Sequence, residues 1–331
     1  MMTTHTPRGR ARRTLMAAAL AIAAAPLAAN AWTDKPVKII VPAPPGGTMD
    51  VVARVLAEAI QADIGQPVIV ENKPGAGGAI GVQALNAAPP DGQTIMVTVS
   101  NILTEIPLVM KTSFDPLKDV KPVAAVASAT MVLVAGAAVP ASDLKGLIGQ
   151  LKTSKGGKGS FASYTAGSSS HYAGLMFAKK AGLDLQHVPF VGSPPALQNV
   201  MGGQVDVMFD GMVTSLPQIK GGKLKVYGVG AKTRSVHLPD VPTMAEQGFP
   251  EIDFQNWAGI IVSSKLSDDV VKKINATVSK VAALPKVRDR LIASGFEPGS
   301  SESPEKLAQI TKADYDRNAQ IVKAFNIQLS Q

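Results

Sequence analysis

Val37-Lys38-Ile39-Ile40-Val41-Pro42-Ala43-Pro44-Pro45-Gly46-Gly47-Thr48-Met49-Asp50 is an apolar strand that runs into a glycine pair and opens a helix, Val51-Val52-Ala53-Arg54-Val55-Leu56. The same build recurs in Val68-Ile69-Val70-Glu71-Asn72-Lys73-Pro74-Gly75-Ala76-Gly77-Gly78, which leads into Ala79-Ile80-Gly81-Val82. Glycine lets a backbone approach a ligand closely, and the first turn of a helix presents unpaired N–H groups at the positive end of its dipole. Each loop is therefore a candidate anion site that requires no cationic side chain. Taken singly, each reads equally well as a tight turn. Their repetition points to a ligand, a small carboxylate gripped by two loops on neighbouring strands.

The rest of the chain continues the pattern. Apolar strands are expected at Thr94 to Val99, Val123 to Val126, Met131 to Val134, Val205 to Phe209, Val226 to Val229 and Ile260 to Val262, alternating with helical periods. Clear helices are Asp50 to Ile64, Val270 to Val281 and Pro304 to Phe325. Such alternation predicts an α/β fold with parallel or mixed sheets covered by helices on both faces. About 300 residues exceed one comfortable core, so two domains are expected.

Residues 1–31 read as a cleavable signal peptide. Arg8, Arg10, Arg12 and Arg13 form a basic start, Leu15 to Leu27 is nearly all Ala, Leu, Ile and Met, and Ala29-Asn30-Ala31 is a small-x-small cleavage signal. The apolar run is too short for a permanent membrane span. Cleavage after Ala31 and a periplasmic location are expected. Removing this segment takes four arginines and no acids, which leaves 29 basic against 25 acidic residues and lowers the net charge from +8 to +4. A mildly cationic chain suits an anionic small molecule. Nucleic acid is not expected, because the densest basic stretch, Lys152 to Lys158, is Gly/Ser-rich and has no interleaved aromatics. The chain contains no cysteine, which excludes disulfides, thiolate metal sites, a cysteine nucleophile and a lipidated N-terminal cysteine.

Further polar groups sit where strands end. Ser100 and Asn101 follow Thr94 to Val99, and Asp210 follows the strand ending at Phe209. Ser168, Ser169, Ser170 and His171 precede a helix and form a third candidate amide end. In open α/β sheets ligands lie outside the carboxyl ends of the strands, so these groups from two domains would line one cleft. Bland readings stand beside these: the serines as caps, Asp50 as an acid favourable to the helix dipole, Asp210 as a turn cap and His171 as a structural histidine. Enzyme signatures fail. Gly75 to Gly81 has Ile80 at the third-glycine position of the dinucleotide fingerprint, and no phosphate loop or Gly-x-Ser-x-Gly elbow occurs. No histidine pair has metal-ligand spacing. No cofactor and no metal are expected, and the chain is read as a binding protein. A secreted hydrolase using Ser169, His171 and Asp210 is the rival of a different class.

With these residues in view the chain resembles the periplasmic solute receptors of tripartite tricarboxylate transporters, the TctC-like or Bug proteins. The carrying motifs are Val41-Pro42 through Gly46-Gly47 to Asp50, Glu71 to Gly78, Ala88-Pro89-Pro90-Asp91-Gly92, Gly167 to His171, His187-Val188-Pro189-Phe190, Gly203-Gln204-Val205-Asp206 and Leu238-Pro239-Asp240-Val241-Pro242-Thr243. They run in order over essentially the whole mature chain. The resemblance implies the type II periplasmic-binding-protein fold, two α/β domains joined by crossover strands with an interdomain ligand cleft. It implies a discontinuous first domain, 32–134 with 253–331, and a second domain, 135–252.

By the same resemblance the ligand is a small mono-, di- or tricarboxylate or an acidic amino acid. Gly46, Gly47, Thr48, Asp50, Ala76 and Gly77 would lie by its proximal carboxylate. Ser168, Ser169, Ser170 and His171 would meet the distal group, and Ser100, Asn101 and Asp210 would line the wall. Partners would be the membrane permease subunits of such a transporter or the periplasmic domain of a sensor kinase, with the receptor itself a monomer. The chain departs from the family pattern at Phe190-Val191-Gly192, at Phe209 to Thr214 and at Ser100 to Thr104. These departures leave the first carboxylate site intact and point to a smaller or less charged distal group.

Overall fold

Strand β1 (Val37–Val41) sits between β2 (Val68–Asn72) and β3 (Thr94–Val99), parallel to both. This explains its unbroken apolar run, because both of its faces are covered. Ile39 points into a cluster with Val52, Leu56 and Ile60 of helix α1 (Thr48–Ile64), while Ile40 points into a second cluster with Val82 and Leu85 of α2 (Ala79–Ala87). The three α1 residues are fully buried and each contributes roughly 1.5–3 kcal/mol of apolar burial.

The sheet is completed by β10 (Asn256–Ser263), β4 (Val120–Ala129) and β11 (Glu297–Pro298), in the order β11-β4-β10-β3-β1-β2, with β10 antiparallel to β3 and β4. Helices α8 (Asp268–Ala282) and α9 (Pro285–Ala293) pack on the α1 side. The C-terminal helix α10 (Pro304–Phe325) starts on the other side, through Leu307 and Ile310.

A second sheet has the order β7-β6-β8-β5-β9, built from β5 (Met131–Gly136), β6 (Lys158–Ser163), β7 (Asp184–Pro189), β8 (Val207–Gly211) and β9 (Leu224–Gly230). β6 is parallel to β7 and β8, whereas β5 is antiparallel to β8 and β9. Helices α4 (Leu144–Thr153) and α5 (Ser169–Ala181) fill one face, and α6 (Ser193–Met201) and α7 (Met212–Lys220) fill the other. The short helix α3 (Asn101–Thr104) follows β3. These are two mixed α/β domains, as the alternation of strands and helices predicts. The chain passes from the first sheet to the second through the single residue Thr130, between β4 and β5, and returns between β9 and β10. The end of α10 lies on the second core, where Ile321, Val322, Phe325 and Ile327 pack and Lys179 Nζ stands 5.0 Å above the Phe325 ring.

This computed structural model describes residues 1–2, 32–153, 157–299, 302–325 and 327. The expected signal peptide, from residue 3 onward, and its cleavage point lie outside them. Among the described residues no helix is long and apolar enough to cross a membrane, and no group of three or more His, Cys, Asp or Glu side chains is placed to hold a metal.

Candidate functional site

The loops that follow β1, β2 and β3 face those that follow β6, β7 and β8 across a cleft. Carboxyl ends of parallel strands from both sheets therefore converge there. Its free space is about 870 Å³ with the mouth included. The two halves touch: a Cβ added to Gly192 would stand 2.5 Å from Pro44 Cγ, and one added to Gly211 would stand 3.1 Å from Thr48 Oγ1.

The first sheet contributes backbone. Val51 N–H makes the first bond of α1, to the Gly47 carbonyl, so the amides of Thr48, Met49 and Asp50 precede any intrahelical acceptor. Gly47 stands at the cap position and contributes no side chain to cover them. In the second loop the bonding starts with Gly78 N–H to the Gly75 carbonyl and Ala79 N–H to the Ala76 carbonyl, beyond the amides of Ala76 and Gly77. Ala76 and Gly77, both lining the cleft, adopt positive φ, +47° and +59°. No described residue lining the cleft carries a charged side chain. Pro42, Val99, Ile102, Ile106, Met131 and Val191 make much of the wall.

Of the residues expected at the site, Gly47, Thr48, Ala76, Gly77 and Asn101 line this cleft. The others stand behind it, each with a partner in the protein. Asp50 is buried, with Oδ2 accepting from the Gly46 amide and Arg54 Nε, both at 2.9 Å, and Oδ1 accepting from Asn72 Nδ2 at 2.9 Å. Asn72 Nδ2 also reaches the Ala43 carbonyl at 2.9 Å. Burial alone would raise the Asp50 pKa. The bonds from Arg54, the Gly46 amide and Asn72 outweigh it and hold the group below the ordinary carboxylate value. Asp50 thus braces the first glycine loop, and the Gly46 N–H is used by that brace.

Ser168 Oγ donates to the Thr165 carbonyl at 2.7 Å, and Ser170 Oγ donates to the Phe209 carbonyl at 2.5 Å. His171 stacks on His187 with ring centroids 3.8 Å apart, and its Nδ1 accepts from the Gly167 amide. Burial pushes its pKa down to about 3, so it is a neutral, structural ring at neutral pH. Asp210 Oδ2 accepts from Thr214 Oγ1 at 2.6 Å and Ser215 Oγ at 2.8 Å. Ser169, His171 and Asp210 therefore bond in three separate directions.

The sequence reading missed Glu105, which is fully buried at the junction of the two sheets. Ser169 Oγ, at the first residue of α5, donates to its Oε2 at 2.5 Å, and the Ser169 amide faces the same carboxylate. Asn256 Nδ2, at the start of β10, donates to Ser169 Oγ at 2.9 Å and reaches Glu105 Oε1 at 3.3 Å. Ser100 Oγ donates to Asn256 Oδ1 at 2.7 Å, and Tyr172 Oη donates to the Glu105 carbonyl at 2.8 Å. Burial pushes the Glu105 pKa up to about 7, against the opposing pull of Ser169, Asn256 and the more distant Arg317.

A folded-state pKa above the unfolded value of 4.5 means that the folded protein holds the proton more tightly. Folding therefore loses stability as pH rises from about 4.5 to 7. Glu105→Gln is expected to match the native protein near pH 4.5 and to exceed it by on the order of 3 kcal/mol above pH 7. Urea unfolding across that range checks this, and parallel pH profiles for the two proteins would refute it.

Comparison with known proteins agrees with the geometry. The family described as Tripartite tricarboxylate transporter family receptor matches residues 52–327. BugT of Bordetella pertussis (strain Tohama I) is 33% identical over 277 residues, 83% of this chain and 85% of BugT. MatC from Rhodopseudomonas palustris, solved with bound malate, is 31% identical, covers 87% of this chain and 99% of its own, and superposes with a TM-score of 0.80. An R. palustris protein solved with adipate is 26% identical, covers 90% of this chain and 99% of its own, and gives a TM-score of 0.85. Two mixed α/β domains around an amide-lined cleft, matched over most of their length by these receptors, make this chain a member of the tripartite tricarboxylate transporter receptor family.

Proposed function

We propose that the chain is a periplasmic receptor that captures a small carboxylate between its two domains and delivers it to the membrane permease of a tripartite tricarboxylate-type transporter. The observation that carries this is the convergence of uncapped amides from Thr48, Met49, Ala76 and Gly77 on a cleft whose described lining has no charged side chain. Aimed N–H groups in such a setting stabilise a carboxylate through charge-assisted hydrogen bonds. The carboxylates bound by the two R. palustris receptors support the same ligand chemistry. Binding is a hinge motion between the domain built on the first sheet and the domain built on the second, which exchange the chain at Thr130 and between β9 and β10, and the ligand favours the closed form by its larger affinity for it. The role is non-catalytic.

The test is thermal unfolding of residues 32–331, freed of co-purified ligand, against mono-, di- and tricarboxylates, acidic amino acids and aromatic acids. A ligand at a hundred times its Kd stabilises the folded state by about 2.7 kcal/mol, a readily measured shift. No shift with any carboxylate would reject the reading. Unchanged cellular uptake of the ligand after deletion of the gene would reject delivery to a permease.

A further inference from the structure

We propose that Glu105 sets the ligand class, by placing the protein's own carboxylate at the amide end of α5 where a second ligand carboxylate would otherwise bind, so that the cleft takes monocarboxylates with an uncharged body and discriminates against dicarboxylates. This rests on the receptor reading above and narrows it.

Three independent observations carry it. The first is occupancy. At the α5 end the Ser169 hydroxyl is committed to the Glu105 carboxylate and the Ser169 amide faces it, with Asn256 closing the remaining side. The Ser170 hydroxyl is committed to the Phe209 carbonyl. An incoming anion finds these donors already bonded.

The second observation is the wall. A second carboxylate held in a closed cleft needs a cation or several donors, because an unpaired buried charge is strongly unfavourable. Among the described lining residues there is no Arg, Lys or His. Val99, Ile102, Ile106, Met131 and Val191 make the apolar wall, and the polar side chains beside them, such as Asn101, Thr130 and Tyr164, are neutral, with Asn256 already bonded to Ser169 and Glu105.

The third is the local field. Asp210 lies buried behind Gly211 and Ser193, both of which line the cleft, and its donors are the hydroxyls of Thr214 and Ser215 with Ser193 beside them. Glu105 at the junction of the two sheets and Asp210 behind the second-domain wall place two internal carboxyl groups behind the lining, and with no cation among the lining residues they disfavour a further negative charge there and tolerate an apolar or hydroxylated ligand end. The single anion site left is the one formed by the two glycine loops.

Calorimetry at pH 8, where Glu105 is ionised, tests this with two matched pairs, hexanoate against adipate and benzoate against terephthalate. The native mature receptor is expected to bind the monocarboxylate of at least one pair at least tenfold more tightly than its dicarboxylate partner. In Glu105→Gln, which keeps the size of the side chain and removes the charge, that ratio is expected to fall at least fivefold. Dicarboxylates that bind within tenfold of their monocarboxylate partners, or more tightly, in every pair that binds overturn the proposal and leave the receptor reading standing. So does a panel in which only di- or tricarboxylates stabilise the protein. An unchanged ratio in a Glu105→Gln protein that unfolds cooperatively removes Glu105 as the cause. The native comparison decides the ligand class without any variant, and the absence of binding by every carboxylate fails the receptor reading itself.

Discussion

Gly77→Val is expected to weaken carboxylate binding by roughly three orders of magnitude, the largest effect of any single change in the cleft. Gly77 has φ +59°, a conformation that costs an L-residue about 1–2 kcal/mol and is worse for a β-branched one. Its added Cβ would stand 2.7 Å from Ile106 Cγ2 and 3.2 Å from Met110 Sδ, so the loop must shift. Shifting it swings the amides of Ala76 and Gly77 off the anion. Charge-assisted hydrogen bonds are worth about 1.5–3 kcal/mol each, so losing two removes roughly 4 kcal/mol, about a thousandfold in Kd. Calorimetry with the ligand that ranks first in the carboxylate panel is the measurement. A Kd within threefold of the native value would show that the second glycine loop does not hold the ligand.

Asp50→Ala acts through stability. The carboxylate ties three segments together: the Gly46 amide of the first loop, Arg54 one turn along α1, and Asn72 at the end of β2. Truncation takes the acceptor from the exposed Gly46 N–H and from the half-buried Asn72 amide, for a loss of about 1–2 kcal/mol. Asn72 would retain only its bond to the Ala43 carbonyl, and the glycine loop that presents Thr48 would lose its anchor. Chemical denaturation should show this drop at neutral pH. Because the native carboxylate has a lowered pKa, its contribution is present above the unfolded value of 3.8 and fades as pH falls through the folded one, so the gap between variant and native should close in acid. A variant as stable as the native protein at pH 7 would show that the three bonds contribute nothing net.

The sequence exposed the first sheet more plainly than the second, for reasons visible in particular strands. Thr94 to Val99 and Pro304 to Phe325 are found with the bounds their patterns predict, and β1 and β3 read clearly because burial on both faces demands continuous apolar runs. β6 and β7 escaped notice. Asp184–Pro189 lies at the sheet edge and alternates exposed and half-buried positions, and Lys158–Ser163 opens with Lys-Gly-Ser, so neither presents a long apolar run.

The glycine loops were legible as anion sites because local chemistry defines a helix N-terminus. The serine run was legible only as a capping sequence, because what its amides meet depends on residues far away in the chain. Glu105 stands 64 positions from Ser169 and 151 from Asn256, and no spacing rule connects them. An acid after Asn101-Ile102-Leu103-Thr104 reads as an ordinary surface residue until folding buries it between two sheets. Asp50 was marked for the right segment, and the fold assigns its charge to the loop's own backbone.

Helix α10 has a mechanical consequence. It is rooted on the first sheet by Leu307, Thr311 and the Asn318 amide, which donates to the Thr104 carbonyl at 3.1 Å, while Ile321, Val322, Phe325 and Ile327 rest on the second core. The crossing at Thr130 lets the domains pivot, but a stiff rod fixed to one of them and leaning on the other resists that pivot. Opening the cleft must either peel the last turns of α10 from the second core or bend the rod. In the proposed hinge motion the apolar grip of those few side chains works as a preload: it governs how far the empty cleft gapes and how quickly it snaps shut.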